Sequence, residues 1–248
     1  MGITIKHVTS TKIIPRTRSQ SCRAMEITQV IDSGAWKGRK KCFLIGGGPS
    51  LRGFDYSQLK GYNTIAINKS FLAYPQADIM YAMDEQLWTG FTHSPNPEWV
   101  KFRPQWKAYE GIKLFYKAQG TPFQFDNSVH YIKALNRNCL SMDLAAGIYG
   151  GTNSGYGGLM LAIALGCSDI GLLGYDFTCG TTNDKTHHHD GYVGQDATQL
   201  GKKLLEFKKC FIEIAPAIEA IGVSIINLNP NSALDCFKKD TIEKFLNE

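Results

Sequence analysis

Four short segments carry the residue types that hold nucleotides or move protons. The first is Gly46-Gly47-Gly48-Pro49-Ser50-Leu51, directly after an apolar run. Glycines let a backbone come close to a phosphate, and free N–H groups leaving a sheet can hold an anion. The spacing is neither G-x-G-x-x-G nor a P-loop, whose lysine is missing, so a tight turn without a ligand is the plain alternative. The second is Gly150-Gly151-Thr152-Asn153-Ser154-Gly155-Tyr156-Gly157-Gly158. Thr152 or Ser154 would make an ordinary N-cap there, but five glycines in nine residues exceed what a cap needs. The third is Gly174-Tyr175-Asp176-Phe177, where a strand-end carboxylate can take ribose hydroxyls, hold Mg²⁺ or cap a turn. Asp84, after another apolar run, stands in an equivalent place. The fourth is His187-His188-His189-Asp190 in a polar stretch. One imidazole there can serve as a general base near neutral pH. A zinc site would need ligands from elsewhere, and a solvated loop is the alternative.

The elements that must position these residues alternate. Short apolar runs at 42–45, 63–68, 78–83, 112–117, 129–134, 170–175 and 223–228 read as strands separated by helical stretches, the pattern of a parallel sheet with crossover helices. Residues 84–111 contain Trp88, Trp99 and Trp106 among prolines, lack clean periodicity and read as an insertion. Residues 154–165 are small and apolar enough for a buried helix that Gly166 can end. The stretch 177–195 is a long polar loop, which inside a compact domain is usually functional or disordered. Leu200, Leu204, Phe207, Phe211, Ile214 and Ile218 then share one helical face over 196–221, with Pro216 placed to kink or end that helix. Asn229-Pro230-Asn231-Ser232 is expected to open a short final helix. The fold expected is α/β: a Rossmann-like, open, mostly parallel sheet flanked by helices, as one domain over residues 41–248.

The charge distribution narrows the partners. The chain has 248 residues and a net charge of +5, all of which resides in residues 1–24: Lys6, Lys12, Arg16, Arg18 and Arg23 stand there without an acid. The remainder is balanced, so residues 1–40 read as a basic, partly ordered arm. Contact of that arm with nucleic acid or an acidic partner is not the favoured reading. The seven scattered cysteines form no C-x-x-C and suit free thiols in a reducing compartment. No window is apolar over the roughly 18 residues of a membrane span, and Lys6 stands where a myristoylation site wants Ser or Thr. A soluble, cytoplasmic protein is expected, in the host cytoplasm if phage-encoded.

Taken together, the segments resemble a known group. Gly46–Leu51 followed by Phe54-Asp55-Tyr56-Ser57-Gln58-Leu59 is similar to the nucleotide loop of the bacterial sialyltransferases of glycosyltransferase family 42, G-N-G-P-S-L with D-Y-S-x-L. Asn68 matches an asparagine with which that family contacts its CMP-sugar. Thr152–Gly155 with the helix after it, then Gly174–Phe177, resemble its second nucleotide segment, and Pro230-Asn231-Ser232 with Leu234 resembles its P-N-S-x-L. The same skeleton occurs in the MptE-like proteins (6-hydroxymethylpterin diphosphokinases, the former DUF115) and in short phage-encoded homologues, whose wording is nearest. The resemblance spans residues 41–239. Departures stand beside it: Gly47 replaces a contacting asparagine, and Thr178 replaces a phosphate-binding tyrosine. The family's catalytic histidine falls on Gln195 or, with a small gap, on His187, His188 or His189.

The resemblance implies a nucleotide-sugar-dependent glycosyltransferase, sialyltransferase-like, that needs no metal. Its nucleotide site would comprise Gly46, Gly47, Gly48, Pro49, Ser50, Asn68, Thr152, Asn153, Ser154, Gly155, Asp176, Thr178, Asn231 and Ser232. A histidine of 187–189 would be the base, in a loop closing over a CMP- or UDP-type donor. A homo-oligomer is compatible. Two alternatives remain: an MptE-like diphosphokinase, with ATP and Mg²⁺ held partly by Asp84 or Asp176, and a non-catalytic nucleotide-binding module.

Overall fold

The computed structural model describes residues 25–29, 31, 41–118, 125–135, 139–178 and 197–247. The strands are β1 (Met25–Glu26), β2 (Lys41–Ile45), β3 (Asn63–Ile67), β4 (Ile79–Ala82), β5 (Ile112–Lys117), β6 (His130–Lys133), β7 (Asp169–Leu173), β8 (Ser224–Asn227) and β9 (Lys238–Lys239). They form one sheet in the order β1-β6-β5-β4-β3-β2-β7-β8-β9, and every neighbouring pair is parallel. The expected α/β architecture is present, and the sheet is parallel throughout.

The central strands β2, β3, β4 and β7 could be read from sequence because they are buried on both faces, which favours near-continuous apolar runs. In β2, Cys42 and Leu44 face one core, while Phe43 and Ile45 face the other. The helices are α1 (Glu85–Thr92), α2 (Pro97–Val100), α3 (Arg103–Ala108), α4 (Ser154–Ala164), α5 (Ala197–Ala220) and α6 (Ile242–Asn247). α4 and the Phe211–Ile218 face of α5 cover the first core. Leu87, Trp88 and Phe91 of α1, Trp106 of α3, and Ile242 and Phe245 of α6 cover the second.

Residues 84–111 form the three short helices of the crossover from β4 to β5. Their aromatic residues are core: Phe91 stacks on Trp106 at a centroid distance of 4.9 Å and meets Phe71 edge-on at 5.6 Å. α4 lies almost on the sheet, and its glycines are the reason. A Cβ at Gly158 would come within 2.4 Å of Ile67 Cδ1, and one at Gly157 within 2.4 Å of the Tyr81 hydroxyl. Much of the glycine excess in 150–158 therefore serves helix–sheet contact.

Two expectations are corrected, and the alternatives for Pro216 are narrowed. The N-cap of α4 is Asn153, not Thr152 or Ser154, because its Oδ1 accepts the Tyr156 N–H at 2.9 Å. Pro216 does not end α5, which continues to Ala220. Asn229–Ser232 opens no helix; it forms a turn closed by Ser232 N–H on Asn229 O at 3.0 Å, and the last helix begins at Ile242.

Candidate functional site

From β2 the chain adds strands in one direction through β3, β4, β5 and β6, then returns to place β7 on the other side of β2. Open α/β sheets bind ligands at such a reversal, outside the carboxyl ends of the strands. A crevice lies there. Its volume is about 170 Å³, and it opens to solvent.

Five segments of the chain build it. The loop after β2 supplies Gly46, Gly47, Gly48 and Pro49; the end of β3 supplies Ile67 and Asn68; the start of α4 supplies Asn153, Ser154 and Gly155. The segment after β7 supplies Gly174, Tyr175, Asp176, Phe177 and Thr178, and α5 adds Leu204 and Phe207 as an apolar wall.

The loop after β2 is fastened to β7 from several sides. Gly46 N–H donates to Leu173 O at 2.7 Å, and Gly48 N–H to Gly174 O at 2.8 Å. The Asp176 carboxylate, only 4% exposed, accepts Ser50 N–H at 2.8 Å, the Ser50 hydroxyl at 2.5 Å and the Asn229 side-chain amide at 2.5 Å. A Cβ at Gly48 would lie 2.2 Å from Asp176 Oδ2, so only glycine lets the loop sit this close. From the other side, the Ser70 hydroxyl donates to Gly46 O at 2.8 Å.

Within this frame, polar atoms are left over. Asn68 Oδ1 and Asn153 Nδ2 are buried without a hydrogen-bond partner, and both residues line the crevice. The cap bond to Tyr156 N–H occupies Asn153 Oδ1 and so fixes its amide with the donor side left free. Ser154 Oγ accepts Met83 N–H at 3.1 Å, which leaves its own O–H to donate. Among the described residues, Gly47 N–H has no partner. Asn68 and Phe177, at φ 54° and 53°, are the two non-glycine residues with positive φ among those described, and both line this crevice. Strained backbone of this kind concentrates at functional sites. Tyr175 donates its hydroxyl to Gly155 O at 3.0 Å, tying α4 to β7, and burial pushes its phenol well up from the ordinary value.

Of the residues expected in a nucleotide site, Gly46, Gly47, Gly48, Pro49, Asn68, Asn153, Ser154, Gly155, Asp176 and Thr178 line this crevice. Ser50, Thr152, Asn231 and Ser232 do not. Ser50 serves Asp176, Thr152 is exposed with its hydroxyl 3.4 Å from Cys210 Sγ, and Asn231 N–H donates to Asn229 Oδ1 in an exposed turn. Ser232 is buried in a closed network. Its Oγ accepts Asn227 Nδ2 at 2.9 Å and Leu234 N–H at 3.0 Å, and donates to Tyr175 O at 2.6 Å. His187, His188 and His189 lie outside the described residues. Leu204 and Phe207 join the site unforeseen, because their spacing marked them only as part of a core-facing stripe.

The two carboxylates named for Mg²⁺ under the diphosphokinase alternative differ in how far the protein engages them. Both Asp176 oxygens already take protein donors, and Asp84 Oδ1 caps α1 by accepting Gln86 N–H at 2.8 Å. Among the described residues no cluster of three His, Cys, Asp or Glu side chains has metal-binding spacing. No helix among them is long and apolar enough to cross a membrane, and Cys42, Cys139, Cys167, Cys210 and Cys236 are free thiols.

No protein-family model and no curated protein matches the chain. Among solved structures, it is similar to the sialyltransferase CstII from Campylobacter jejuni in complex with a substrate analogue, CMP-3FNeuAc, at 17% identity and a TM-score of 0.44, over 81% of this chain and 85% of that one. It is likewise similar to the sialyltransferase CST-II in complex with trisaccharide acceptor and CMP, at 16% identity and a TM-score of 0.46, over the same shares of each chain.

Proposed function

We propose that the chain is a nucleotide-sugar-dependent glycosyltransferase of the sialyltransferase-like kind. The observation that carries this reading is the convergence of the glycine loop, Asn68 and Asn153-Ser154-Gly155 on one crevice at the sheet reversal, where Asn68 and Asn153 each keep a buried polar atom without a partner. The donors of these segments are uncharged: Gly47 N–H, Asn153 Nδ2 and the Ser154 hydroxyl. No Lys, Arg or His is among the described residues lining the crevice. Such a lining suits a phosphodiester with one negative charge better than a di- or triphosphate, which calls for metal ions or cationic side chains. A CMP-type donor is therefore favoured over a UDP-type donor. Asn68 Oδ1 is free to accept a hydroxyl of the nucleotide, and Phe177, Leu204 and Phe207 offer apolar surface.

In the reaction, an acceptor oxygen bonds to the anomeric carbon while the bond from that carbon to the phosphate oxygen breaks, its electron pair leaving with the nucleotide. The acceptor proton passes to a base, for which one of His187, His188 and His189 is proposed on the sequence resemblance.

A thermal-shift panel tests the reading: CMP, UDP, GDP, ADP, ATP and common sugar conjugates, each with and without Mg²⁺. Ligand at a hundred times its dissociation constant stabilises by about 2.7 kcal/mol, roughly 5–10 °C for a domain of this size. A shift with CMP or a CMP-sugar, indifferent to Mg²⁺, is expected. A shift only with ATP and Mg²⁺ would hand the site to a diphosphokinase, and tight binding without turnover to a binding module. Replacing His187, His188 and His189 together by Ala is expected to abolish transfer while nucleotide affinity stays within about twofold. Undiminished turnover would remove them from the mechanism.

A further inference from the structure

Next along the carboxyl edge of the sheet from Asn68 is the end of β4. Ile67 and Tyr81 are in register, so Asn68 and Met83-Asp84 leave adjacent strands, which run about 4.8 Å apart. The Ser154 hydroxyl, a crevice group, holds Met83 N–H at 3.1 Å and pins this strand end to the rim. Asp84 is thus the first acid beyond the crevice lining on the β4 side. It is exposed, with Oδ1 fixed by Gln86 N–H at 2.8 Å. Oδ2 has neither a hydrogen bond nor an ion pair among the described residues. On the opposite side, the Asp176 carboxylate already accepts three protein donors, two from Ser50 and one from Asn229.

We propose that Asp84 is the acceptor-binding carboxylate: Oδ2 accepts one hydroxyl of a neutral, polyhydroxylated acceptor and so positions a neighbouring hydroxyl for attack at the donor's anomeric carbon. This rests on the glycosyltransferase reading. The cap bond orients the carboxylate before substrate arrives, so little rotamer entropy remains to be lost on binding. An unpaired negative charge at the rim attracts hydroxyl donors and repels an anionic acceptor. Proton removal stays with the base proposed above, and Asp84 acts by holding the substrate.

The test uses the full chain, CMP-N-acetylneuraminate as donor, and glycerol or glycerate as the acceptor probe. The readouts are the ratio of glycosylated acceptor to hydrolysed sugar, the CMP-induced thermal shift and the Tm. Asp84→Asn keeps an N-cap, since Asn caps as well as Asp, so its Tm is expected within about a degree of wild type. Transfer to glycerol relative to hydrolysis is expected to fall about tenfold, the factor that losing a hydrogen bond to a charged group carries. The wild-type preference for glycerol over glycerate is expected to vanish, while the CMP shift and hydrolysis stay unchanged. An unaltered transfer ratio in Asp84→Asn, or no transfer to glycerol by the wild type, overturns the assignment. A wild type that neither binds CMP nor hydrolyses the donor fails earlier, and overturns the glycosyltransferase reading together with it.

Discussion

Asp176 grips Ser50 twice, through Ser50 N–H at 2.8 Å and the Ser50 hydroxyl at 2.5 Å, across 126 residues of chain. This one carboxylate joins the loop after β2 to the strand beyond the sheet reversal, and through Asn229 to the end of β8. Asn at position 176 would face three donors with one acceptor oxygen and an NH₂. Asp176→Asn is therefore expected to cost about 3 kcal/mol, since hydrogen bonds to charged groups contribute about 1.5–3 kcal/mol each and an unsatisfied buried donor adds a penalty. That corresponds to a fall in Tm of roughly 6–12 °C. Calorimetry showing an unchanged Tm would mean the carboxylate is not the fastening.

Gly48 is where the same contact leaves no room. With a Cβ 2.2 Å from Asp176 Oδ2 and 2.6 Å from Gly174 O, Gly48→Ala must push the loop away from β7. Overpacking of this kind costs about 1–3 kcal/mol, and the displaced N–H groups should cost nucleotide binding more than stability. The check is the CMP shift of Gly48→Ala at a temperature where the variant is folded. A wild-type shift would show that the loop can yield without moving the site.

Asn68 combines two roles that substitution can separate. Its backbone sits at φ 54°, which costs an ordinary L-residue about 1–2 kcal/mol and glycine almost nothing. Asn68→Gly should therefore hold its Tm while weakening nucleotide affinity about tenfold through loss of the crevice acceptor. Asn68→Ala should lose affinity and Tm together. Equal affinities of wild type and Asn68→Gly in titration calorimetry would assign Asn68 a backbone role alone.

The tyrosines set an alkaline limit. Burial raises the Tyr56 phenol from the usual 10 to about 12 and pushes Tyr81 and Tyr109 well up. A group whose folded pKa lies above its unfolded value stabilises fully below the unfolded value. That contribution is lost as pH rises through the folded value. For Tyr56 the window is pH 10 to about 12. Tyrosinate absorbance should thus rise in a steep step coincident with loss of circular dichroism above pH 10, and Tyr56→Phe should shift the step upward. Smooth ionisation of all eleven tyrosines near pH 10, with the fold intact, would contradict this.

The sequence by itself determined the central strands most clearly, because a strand buried on both faces favours apolar residues at successive positions, as at 42–45 and 79–82. It also placed glycine loops at strand ends, where open parallel sheets bind ligands, and so pointed to most of the crevice. Edge strands β1 and β9, two residues each, left no pattern to read.

Tertiary structure alone decided which polar residues are spent and which are free. Asp176, Ser50 and Ser232 are of the type that binds a nucleotide, yet partners from elsewhere in the chain occupy them. Asn68 and Asn153, no more conspicuous in sequence, each keep one buried atom unpaired at the crevice. Leu204 and Phe207 share helical periodicity with Phe211, but Phe211, Ile214 and Ile218 join the core while Leu204 and Phe207 line the crevice, so one stripe serves both. Spacing records a side chain's direction along its own element, whereas the satisfaction of a hydrogen bond depends on which distant segment arrives opposite it.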